Sequence, residues 1–282
     1  MTAQIPSSTA DVIARAYDED LADIGDLTSL ATIPKDHASV ARIVARDPGC
    51  MAGIPIVEMC FVHIDPTITV VRFANDGDVV EAGTVVLEAS GSTRSLLTAE
   101  RVALNLFGHL SGVATATRSF VEAVEGTDVS ISDTRKTTPG LRSLEKHAVA
   151  IGGGVNHRMG LYDAVLIKDN HLAASTSIAD AVAKARHLVG PDMTVEIEVD
   201  TLDQLTLAID TDADVVLLDN MSPTELATAV EMVDGRMRTE ASGGITLETV
   251  RQIAKTGVDV ISIGWLTHSA PALDVAMDLE SL

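Results

Sequence analysis

The chain has 282 residues, of which 46% are hydrophobic and 22% charged, and this composition is too apolar for an intrinsically disordered protein. The 41 acidic residues outnumber the 20 basic ones, giving a formal net charge of −21. Such a field repels nucleic-acid phosphates and anionic membrane surfaces. We therefore expect a soluble protein that binds neither nucleic acid nor membranes.

The first 25 residues lack the apolar core of a signal peptide, and no window approaches 18 consecutive apolar residues. These features predict a cytoplasmic protein. The two cysteines, Cys50 and Cys60, form neither a CxxC pair nor a multi-cysteine framework. We expect both thiols to be reduced and buried, without a disulfide or a structural zinc ion.

The first 110 residues have the pattern of a small α+β domain. Strand-like segments lie near residues 38–46 and 67–73, and residues 76–91 read as two strands whose glycines suit turns. Residues 76–91 are similar to the hammerhead of biotinyl and lipoyl carriers, but they contain no lysine, which argues against a carrier function. Residues 95–124 have helical composition, with an interruption expected around residues 111–112.

From residue 129 onward, short strand patterns alternate with helical patterns. The strands are expected at 129–132, 164–167, 194–199, 214–219, 238–242 and 259–264, and the helices at 140–151, 177–189, 201–210, 222–233, 246–256 and 271–280. Successive βα units imply a parallel sheet. Their regular recurrence, without a dinucleotide-binding fingerprint after the first strand, favours a closed or nearly closed α/β barrel over an open doubly wound sheet.

Polar residues follow the carboxyl ends of these strands, where α/β barrels carry their chemistry. They are Asp133, Thr134, Arg135 and Lys136, then Lys168 to His171, Glu198, Asp200, Asp219, Asn220, Ser242, Gly243, Gly244 and Gly264. The Ser-Gly-Gly segment precedes a helix and therefore suits a phosphate group. Glu198 and Asp219 can bind Mg²⁺ that arrives with a substrate phosphate, or alternatively they pair with Lys168.

Residues 135–168 reverse the charge of the chain and predict a site for a small anion with several negative groups. The cations are Arg135, Lys136, Arg142, Lys146, Arg158 and Lys168, with His147 and His157 in addition. The alternative for residues 142–147 is a solvated helix face.

Strand alternation places Glu196, Glu198 and Asp200 on one face, toward the barrel axis, where Lys136 and Lys168 are the expected partners. The chain has no HExxH, GxSxG or P-loop motif, so covalent catalysis is not indicated. An anion cluster, a phosphate loop and a carboxylate pair fit transfer from a polyphosphorylated sugar.

Long segments carry a family resemblance that extends over nearly the whole chain. They include DTRKTTPGLRSLEKHAV (133–149) and GGGVNHRMGLYDAVLIKDNH (152–171), with residues 196–205, 215–223, 240–246, 19–29, 47–58 and 96–117. These segments resemble quinolinate phosphoribosyltransferase. The resemblance implies an N-terminal α+β sandwich domain, residues 1–112 joined by 268–282, packed on an incomplete α/β (TIM-like) barrel of residues 113–267.

The resemblance also implies the reaction of quinolinate with phosphoribosyl pyrophosphate to give nicotinate mononucleotide, pyrophosphate and CO₂, with Mg²⁺ as cofactor. It implies a homodimer in which the small domain of one subunit caps the barrel mouth of the other. Quinolinate would be surrounded by Arg135, Lys136, His157, Arg158 and Lys168, joined by Arg101 of the partner subunit.

The remaining implied substrate contacts lie along the phosphoribosyl group. They are Glu198 and Asp219 at the ribose hydroxyls and the metal, and Ser242, Gly243, Gly244 and Gly264 at the 5′-phosphate. Thr134, Ile263 and Trp265 are also implied as substrate-binding residues. The catalytic residues implied are Lys136, Lys168, Glu198 and Asp219. Trp265 stands where the family more often has a small residue.

Three other functions compete with this interpretation. Sister enzymes on the same fold are a non-decarboxylating nicotinate phosphoribosyltransferase and a homologue associated with molybdenum transport. A non-catalytic nucleotide-binding protein would keep the barrel without turnover. An aldolase-like barrel would use Lys168 as a Schiff base, which requires a carbonyl substrate.

Overall fold

The computed structural model describes residues 4–281, and the chain folds into two compact units. The domain boundaries expected from the sequence, with a division after residue 112, stay a prediction. The first unit contains the described residues up to Arg118, Thr137–Gly153 and the chain from Leu266 onward, and the second contains Ser119–Lys136 and Gly154–Trp265.

The first unit holds a mixture of helices and short antiparallel strands. Its elements are α1 (Thr9–Leu21), α2 (Leu27–Thr32), β1 (Ala38–Ala45), β2 (Gly49–Cys50), α3 (Ile54–Ile64), β3 (Thr69–Arg72), β4 (Val79–Val80), β5 (Val85–Ser92), most of α4 (Thr93–Ala123), α5 (Arg142–Ile151) and β12 (Val275–Ser281). Four strands form an antiparallel sheet in the order β12-β1-β5-β3, and β2 pairs with β4. The strands expected near 38–46, 67–73 and 76–91 are confirmed.

The second unit is built on a six-stranded parallel sheet in the order β6-β11-β10-β9-β8-β7. Among residues 4–281 no strand pairing joins β6 to β7, so the barrel is open there and the expected incomplete α/β barrel is confirmed. Its elements are β6 (Ser130–Ser132), β7 (Val165–Ile167), α6 (Asp169–Ala173), α7 (Ile178–Val189), β8 (Val195–Val199), α8 (Leu202–Ile209), β9 (Val215–Asp219), α9 (Pro223–Val233), β10 (Arg238–Ser242), α10 (Leu247–Ala254) and β11 (Val260–Ser262). Helix α11 (Trp265–His268) begins at Trp265, the last residue of the second unit.

The helices of the second unit begin at side chains that cap them. Ser177, Thr201 and Ser222 each accept a hydrogen bond from a backbone N–H in the first helical turn. Ser222 and Glu225 form a reciprocal capping box around Pro223, whose fixed φ suits a first helical position. Because Thr201 and Ser222 lie just past β8 and β9, these two caps fix where the polar loop residues leave the sheet.

The helix expected at residues 271–280 is wrong, because this segment forms strand β12. It pairs antiparallel with β1. Arg42 of β1 binds Glu280 at 2.7 Å, and Arg46, just past the end of β1, binds Asp278 at 2.5 Å. Edge pairing and these ion pairs override the local composition. The helix that follows β11 is instead the four-residue α11.

The break expected around residues 111–112 is also wrong, since α4 continues through it. A Cβ on Gly112 would lie 2.1 Å from the carbonyl oxygen of Pro271, so the glycine allows close approach of another backbone segment. The Ser111 hydroxyl accepts a hydrogen bond from the N–H of Ala52 at 3.1 Å. Both residues thus serve packing within the first unit.

Helix α5 contradicts the alternative of a solvated face at residues 142–147. Glu145 and Lys146 are fully buried and His147 is 5% exposed. Glu145 lies 2.8 Å from Nε2 of His109 and accepts the N–H of Thr138 at 3.0 Å. This part of the cationic stretch is therefore buried structure in the first unit.

Cys50 and Cys60 are buried and free, as expected. Within residues 4–281, the helices are all too short or too polar to cross a lipid bilayer.

Candidate active site

The carboxyl ends of the parallel strands form one edge of the second unit, which we call the C-terminal rim. Strand pairing sets Glu198 of β8 opposite Leu217 of β9, and Asp219 of β9 opposite Ser242 of β10. The polar side chains of Asp219 and Ser242 therefore lie side by side, as expected for a parallel barrel, while Glu198 has an apolar neighbour on β9. The rim thus combines residues that are far apart in the sequence.

Lys168 and Glu198 form an ion pair across two neighbouring strand ends. Nζ of Lys168 donates to Oε2 of Glu198 at 2.7 Å, with the lysine side chain 44% exposed and the glutamate 12% exposed. The N–H of Lys168 also donates to Nδ1 of His171 at 2.9 Å, which fixes the start of α6. The expected pairing of a strand-face acid with Lys168 is confirmed.

His157, Glu196 and Glu240 form a buried cluster below the rim. Glu196 and Glu240 each lie two residues before a rim residue of the same strand. Nε2 of His157 lies 3.1 Å from Oε2 of Glu196 and 3.6 Å from Oε1 of Glu240. The three residues offer possible ligand atoms within 4.8 Å of one another. Burial and the nearby Glu196 carboxylate raise the pKa of Glu240 to about 7.

The backbone of His157 is held from a neighbouring strand end. Its N–H donates to Oδ1 of the fully buried Asp133 at 2.9 Å, and its Nδ1 accepts the N–H of Arg158 at 2.7 Å. The guanidinium of Arg158 donates to the carbonyl of Ala164 at 2.9 Å. Burial, followed by the positive charge of Arg135, lowers the pKa of Arg158, so two cations are held near each other at this end of the site.

The Ser242-Gly243-Gly244 turn joins β10 to the loop before α10. Gly243 has φ +101° and Gly244 has φ +58°, both in the region that favours glycine. A Cβ on Gly243 would lie 2.2 Å from Oδ1 of Asn220, whose N–H donates to the carbonyl of Ser242 at 2.9 Å. Only glycine fits against this neighbour, and the bare backbone is suited to close approach of a phosphate.

Two residues expected to contact the substrate, Trp265 and Arg101, have other neighbours in the single chain. Trp265 is 39% exposed and packs against Phe120, with ring centroids 6.2 Å apart. Arg101 lies in the first unit, where its side chain is 64% exposed beside Glu100. The structure of one chain therefore places Arg101 at a surface.

Apart from Arg101, every residue that the sequence assigned to substrate or metal lies in the second unit. They are Thr134, Arg135, Lys136, His157, Arg158, Lys168, Glu198, Asp219, Ser242, Gly243, Gly244, Ile263, Gly264 and Trp265. Sequence reasoning did not assign Glu240 to the site, and it named Asp133 only as a strand-end residue without a role. Glu240 lies two residues before Ser242 on the same strand, and residues two apart share a face. This spacing was the sequence signal that could have placed Glu240 beside the site.

Comparisons with known proteins identify the class to which this fold and site belong. Residues 26–111 match the N-terminal domain, and residues 113–278 the C-terminal domain, of quinolinate phosphoribosyl transferase. The probable carboxylating nicotinate-nucleotide pyrophosphorylase of Bacillus subtilis is 46% identical over 90% of this chain and 88% of its own length. The corresponding protein of Mycobacterium leprae is 43% identical over 95% of this chain and 96% of its own length.

Solved structures agree with the sequence matches. The crystal structure of NadC from Streptococcus pyogenes superposes with a TM-score of 0.95 at 39% identity, covering 100% of both chains. The fold is thus that of a phosphoribosyltransferase. The chain belongs to the quinolinate phosphoribosyltransferase family, the decarboxylating branch of these enzymes in NAD biosynthesis.

Proposed function

We propose that this phosphoribosyltransferase binds quinolinate and phosphoribosyl pyrophosphate at the C-terminal rim of its second unit and forms nicotinate mononucleotide, pyrophosphate and CO₂. The observation that carries the proposal is the local reversal of charge. In a chain of net charge −21, Arg135, Lys136, Arg158 and Lys168 all belong to the unit that bears the strand-end acids. A dianionic acid and a polyphosphate need such a cluster.

The cationic end of the rim would bind quinolinate. Arg135 and Arg158 can offer bidentate hydrogen bonds to the two carboxylates, with His157, Lys136 and Lys168 around them. Arg101 of the partner subunit would complete this end in a homodimer whose active site is shared. The exposure of Arg101 in a single chain supports a role that requires a second copy.

The other end of the rim would bind the phosphoribosyl group. Ser242, Gly243 and Gly244 would receive the 5′-phosphate on backbone N–H groups, with Ile263, Gly264 and Trp265 beside it. Glu198 and Asp219 would face the ribose hydroxyls, with Thr134 nearby. The positive φ of Gly243 and Gly244 supports this arrangement, since it leaves the backbone uncovered.

Magnesium is the cofactor that suits these residues. Glu198 and Asp219 are half-buried carboxylates on neighbouring strand ends, and hard oxygen donors are the ligands that Mg²⁺ prefers. Glu198 and Asp219 would hold the ion together with the substrate pyrophosphate. When bound, Mg²⁺ supplies charge neutralisation to the departing pyrophosphate.

The reaction needs no protein nucleophile and no general base. The pyridine nitrogen of quinolinate attacks the anomeric carbon, and the bond to pyrophosphate breaks with its electron pair leaving on oxygen. The ring nitrogen becomes a pyridinium, whose positive charge stabilises the electron pair left on the adjacent carbon when the bond to CO₂ breaks. That carbon then takes up a proton from solvent, which gives nicotinate mononucleotide. Lys136 and Lys168 would stabilise the charge that moves to the leaving group.

The compartment proposed for this enzyme is the cytoplasm. The free, buried thiols of Cys50 and Cys60 suit a reducing environment.

Substrate turnover tests the proposal directly. Purified protein with quinolinate, phosphoribosyl pyrophosphate and Mg²⁺ is expected to release nicotinate mononucleotide and CO₂ in equal amounts. A parallel reaction with nicotinate is expected to give no product. Turnover of nicotinate alone would reassign the pocket around Arg135 and Arg158, and inactivity of the folded protein with both would reject the proposed substrates.

A further inference from the structure

Within the His157–Glu196–Glu240 cluster, the two buried glutamates lie beside His157 and have no assigned role. Their carboxyl groups come from β8 and β10, on either side of β9, and each lies two residues before a rim residue. The side chains of Glu196 and Glu240 are 4% and 5% exposed, and that of His157 is 13% exposed. Among the residues described, Oε1 of Glu196 and Oε1 of Glu240 lack hydrogen-bond partners.

The hydrogen bonds of His157 determine which ring nitrogen carries a hydrogen. Nδ1 accepts the N–H of Arg158 at 2.7 Å, so it offers a lone pair. A neutral imidazole with a bare Nδ1 carries its hydrogen on Nε2, which faces Glu196 at 3.1 Å. A metal ion would need the lone pair of Nε2, and this tautomer does not provide one. The cluster therefore acts as a hydrogen-bonded support rather than a metal site.

This support fixes the position of the next residue. Because the His157 ring accepts the amide of Arg158, any rotation of the ring moves or releases that amide. Asp133 accepts a hydrogen bond from the N–H of His157 itself, so the backbone there is fixed and the orientation of the His157 ring is what can change. The negative charge of Glu196 also opposes the repulsion between Arg158 and Arg135.

We propose that Glu196, backed by the buried Glu240, is a positioning residue that orients the His157 ring and thereby the Arg158 backbone for the carboxylates of quinolinate. Glu196 does not contact the substrate in this arrangement. The inference rests on the proposed function, because it assigns Arg158 to quinolinate. It adds a layer beneath the residues expected to touch the substrate, and such layers set the geometry of binding groups.

The sign of one kinetic effect separates positioning from simple electrostatics. Glu196→Leu removes the acceptor and the negative charge while keeping an apolar side chain of similar size. If charge alone mattered, the surrounding cations would attract quinolinate more strongly and its KM would fall. Under the proposal, the KM for quinolinate rises at least about tenfold while the KM for phosphoribosyl pyrophosphate stays within about twofold. Glu196→Gln, which keeps an acceptor oxygen, recovers part of the loss.

A double-variant cycle tests whether Glu196 acts through His157. When His157→Ala has removed the ring, adding Glu196→Leu should change the KM for quinolinate by less than about twofold. The control Glu231→Gln removes one negative charge at an exposed position of α9 and should leave both KM values unchanged. An unchanged or lowered KM in Glu196→Leu, or independent effects that multiply in the double variant, would overturn the proposal.

A spectroscopic measurement on the unaltered protein remains decisive even if a variant fails to fold. With ¹⁵N-labelled histidine, and His157→Ala used to assign the signal, the ring of His157 should show a bare Nδ1 and a hydrogen on Nε2. A hydrogen on Nδ1 would overturn the inference. Failure of the wild type to turn over quinolinate would reject the proposed function, and the observed tautomer would still decide how the cluster is arranged.

Discussion

Lys168 and Glu198 neutralise each other across 2.7 Å at the carboxyl ends of β7 and β8. The acid is mostly buried while the lysine reaches solvent, so the lysine supplies the counter-charge that Glu198 needs inside the rim. Lys168→Ala would leave this carboxylate unpaired and remove a cation proposed to stabilise the departing pyrophosphate. We expect kcat/KM for quinolinate to fall by about 10² to 10³, measured by steady-state kinetics.

Lys184→Ala is the matched control for this substitution. Lys184 also pairs with an acid at 2.7 Å, but its side chain is 72% exposed on α7 and its partner Asp180 lies four residues before it. Such a surface pair contributes little, so kcat/KM should stay within about twofold of the wild type. A Lys168→Ala enzyme within about threefold of the wild type would contradict the role of Lys168.

The stability of the protein should depend on the protonation of Glu240. Burial and Glu196 raise its pKa from 4.5 to about 7, against smaller opposing effects of His157, Ser262 and Arg238. The folded state therefore binds a proton more tightly than the unfolded state between these values. The free energy of unfolding should fall as the pH rises through this interval, by roughly 1 to 3 kcal/mol in full above about pH 7.

Glu240→Gln isolates this contribution because the amide cannot ionise. Urea unfolding of both proteins at pH 5 and pH 8, at one protein concentration, gives the change in unfolding free energy for each. The wild type should lose more stability than Glu240→Gln over this range. Equal losses in the two proteins would show that Glu240 does not titrate in this interval.

Gly243 should be the least tolerant position of the proposed phosphate turn. Alanine there combines φ +101° with a Cβ 2.2 Å from Oδ1 of Asn220, so the turn must shift. Gly243→Ala should raise the KM for phosphoribosyl pyrophosphate by about tenfold or more, while the KM for quinolinate changes less. The readout is the pair of KM values from initial rates.

Gly235→Ala separates backbone strain from the loss of the phosphate turn. Gly235 also has a positive φ, +70°, but a Cβ there meets nothing within 4 Å. Its alanine variant should lose about 1 kcal/mol of unfolding free energy with both KM values unchanged. If both glycine variants changed the KM for phosphoribosyl pyrophosphate alike, the turn at Gly243 would have no special role.

The sequence predicted the repeated βα elements of the second unit because short runs with β-branched residues alternate with helical patterns along the chain. It failed at residues 271–280, where antiparallel pairing with β1 decides the structure and the partner lies more than 200 positions away. Local patterns carry no information about such a partner. The same limit explains why the continuity of α4 through Gly112 was missed.

The rim residues were predictable because parallel strands bring their carboxyl ends together. The layer beneath them was harder to assign. Glu196 was recognised as a buried acid, but its expected partner was a lysine, and the structure places His157 there instead. That choice depends on the hydrogen bond that the N–H of His157 donates to the side-chain carboxylate of Asp133, which no spacing in the sequence encodes.

If the active site is shared between two subunits, mixing two inactive variants should restore activity. A site built from one chain could not be restored in this way. Arg101→Ala and Lys168→Ala should each be nearly inactive as pure proteins, because each lacks a cation in every site. When the two are unfolded, mixed in equal amounts and refolded, half of the dimers contain one of each. Every mixed dimer has one site with both residues intact, so the mixture should recover about a quarter of the wild-type activity. Recovery requires that Arg101 and Lys168 of the same site belong to different subunits. If the mixture stayed inactive while refolded wild type regained activity, Arg101 would serve the site of its own chain or no site at all.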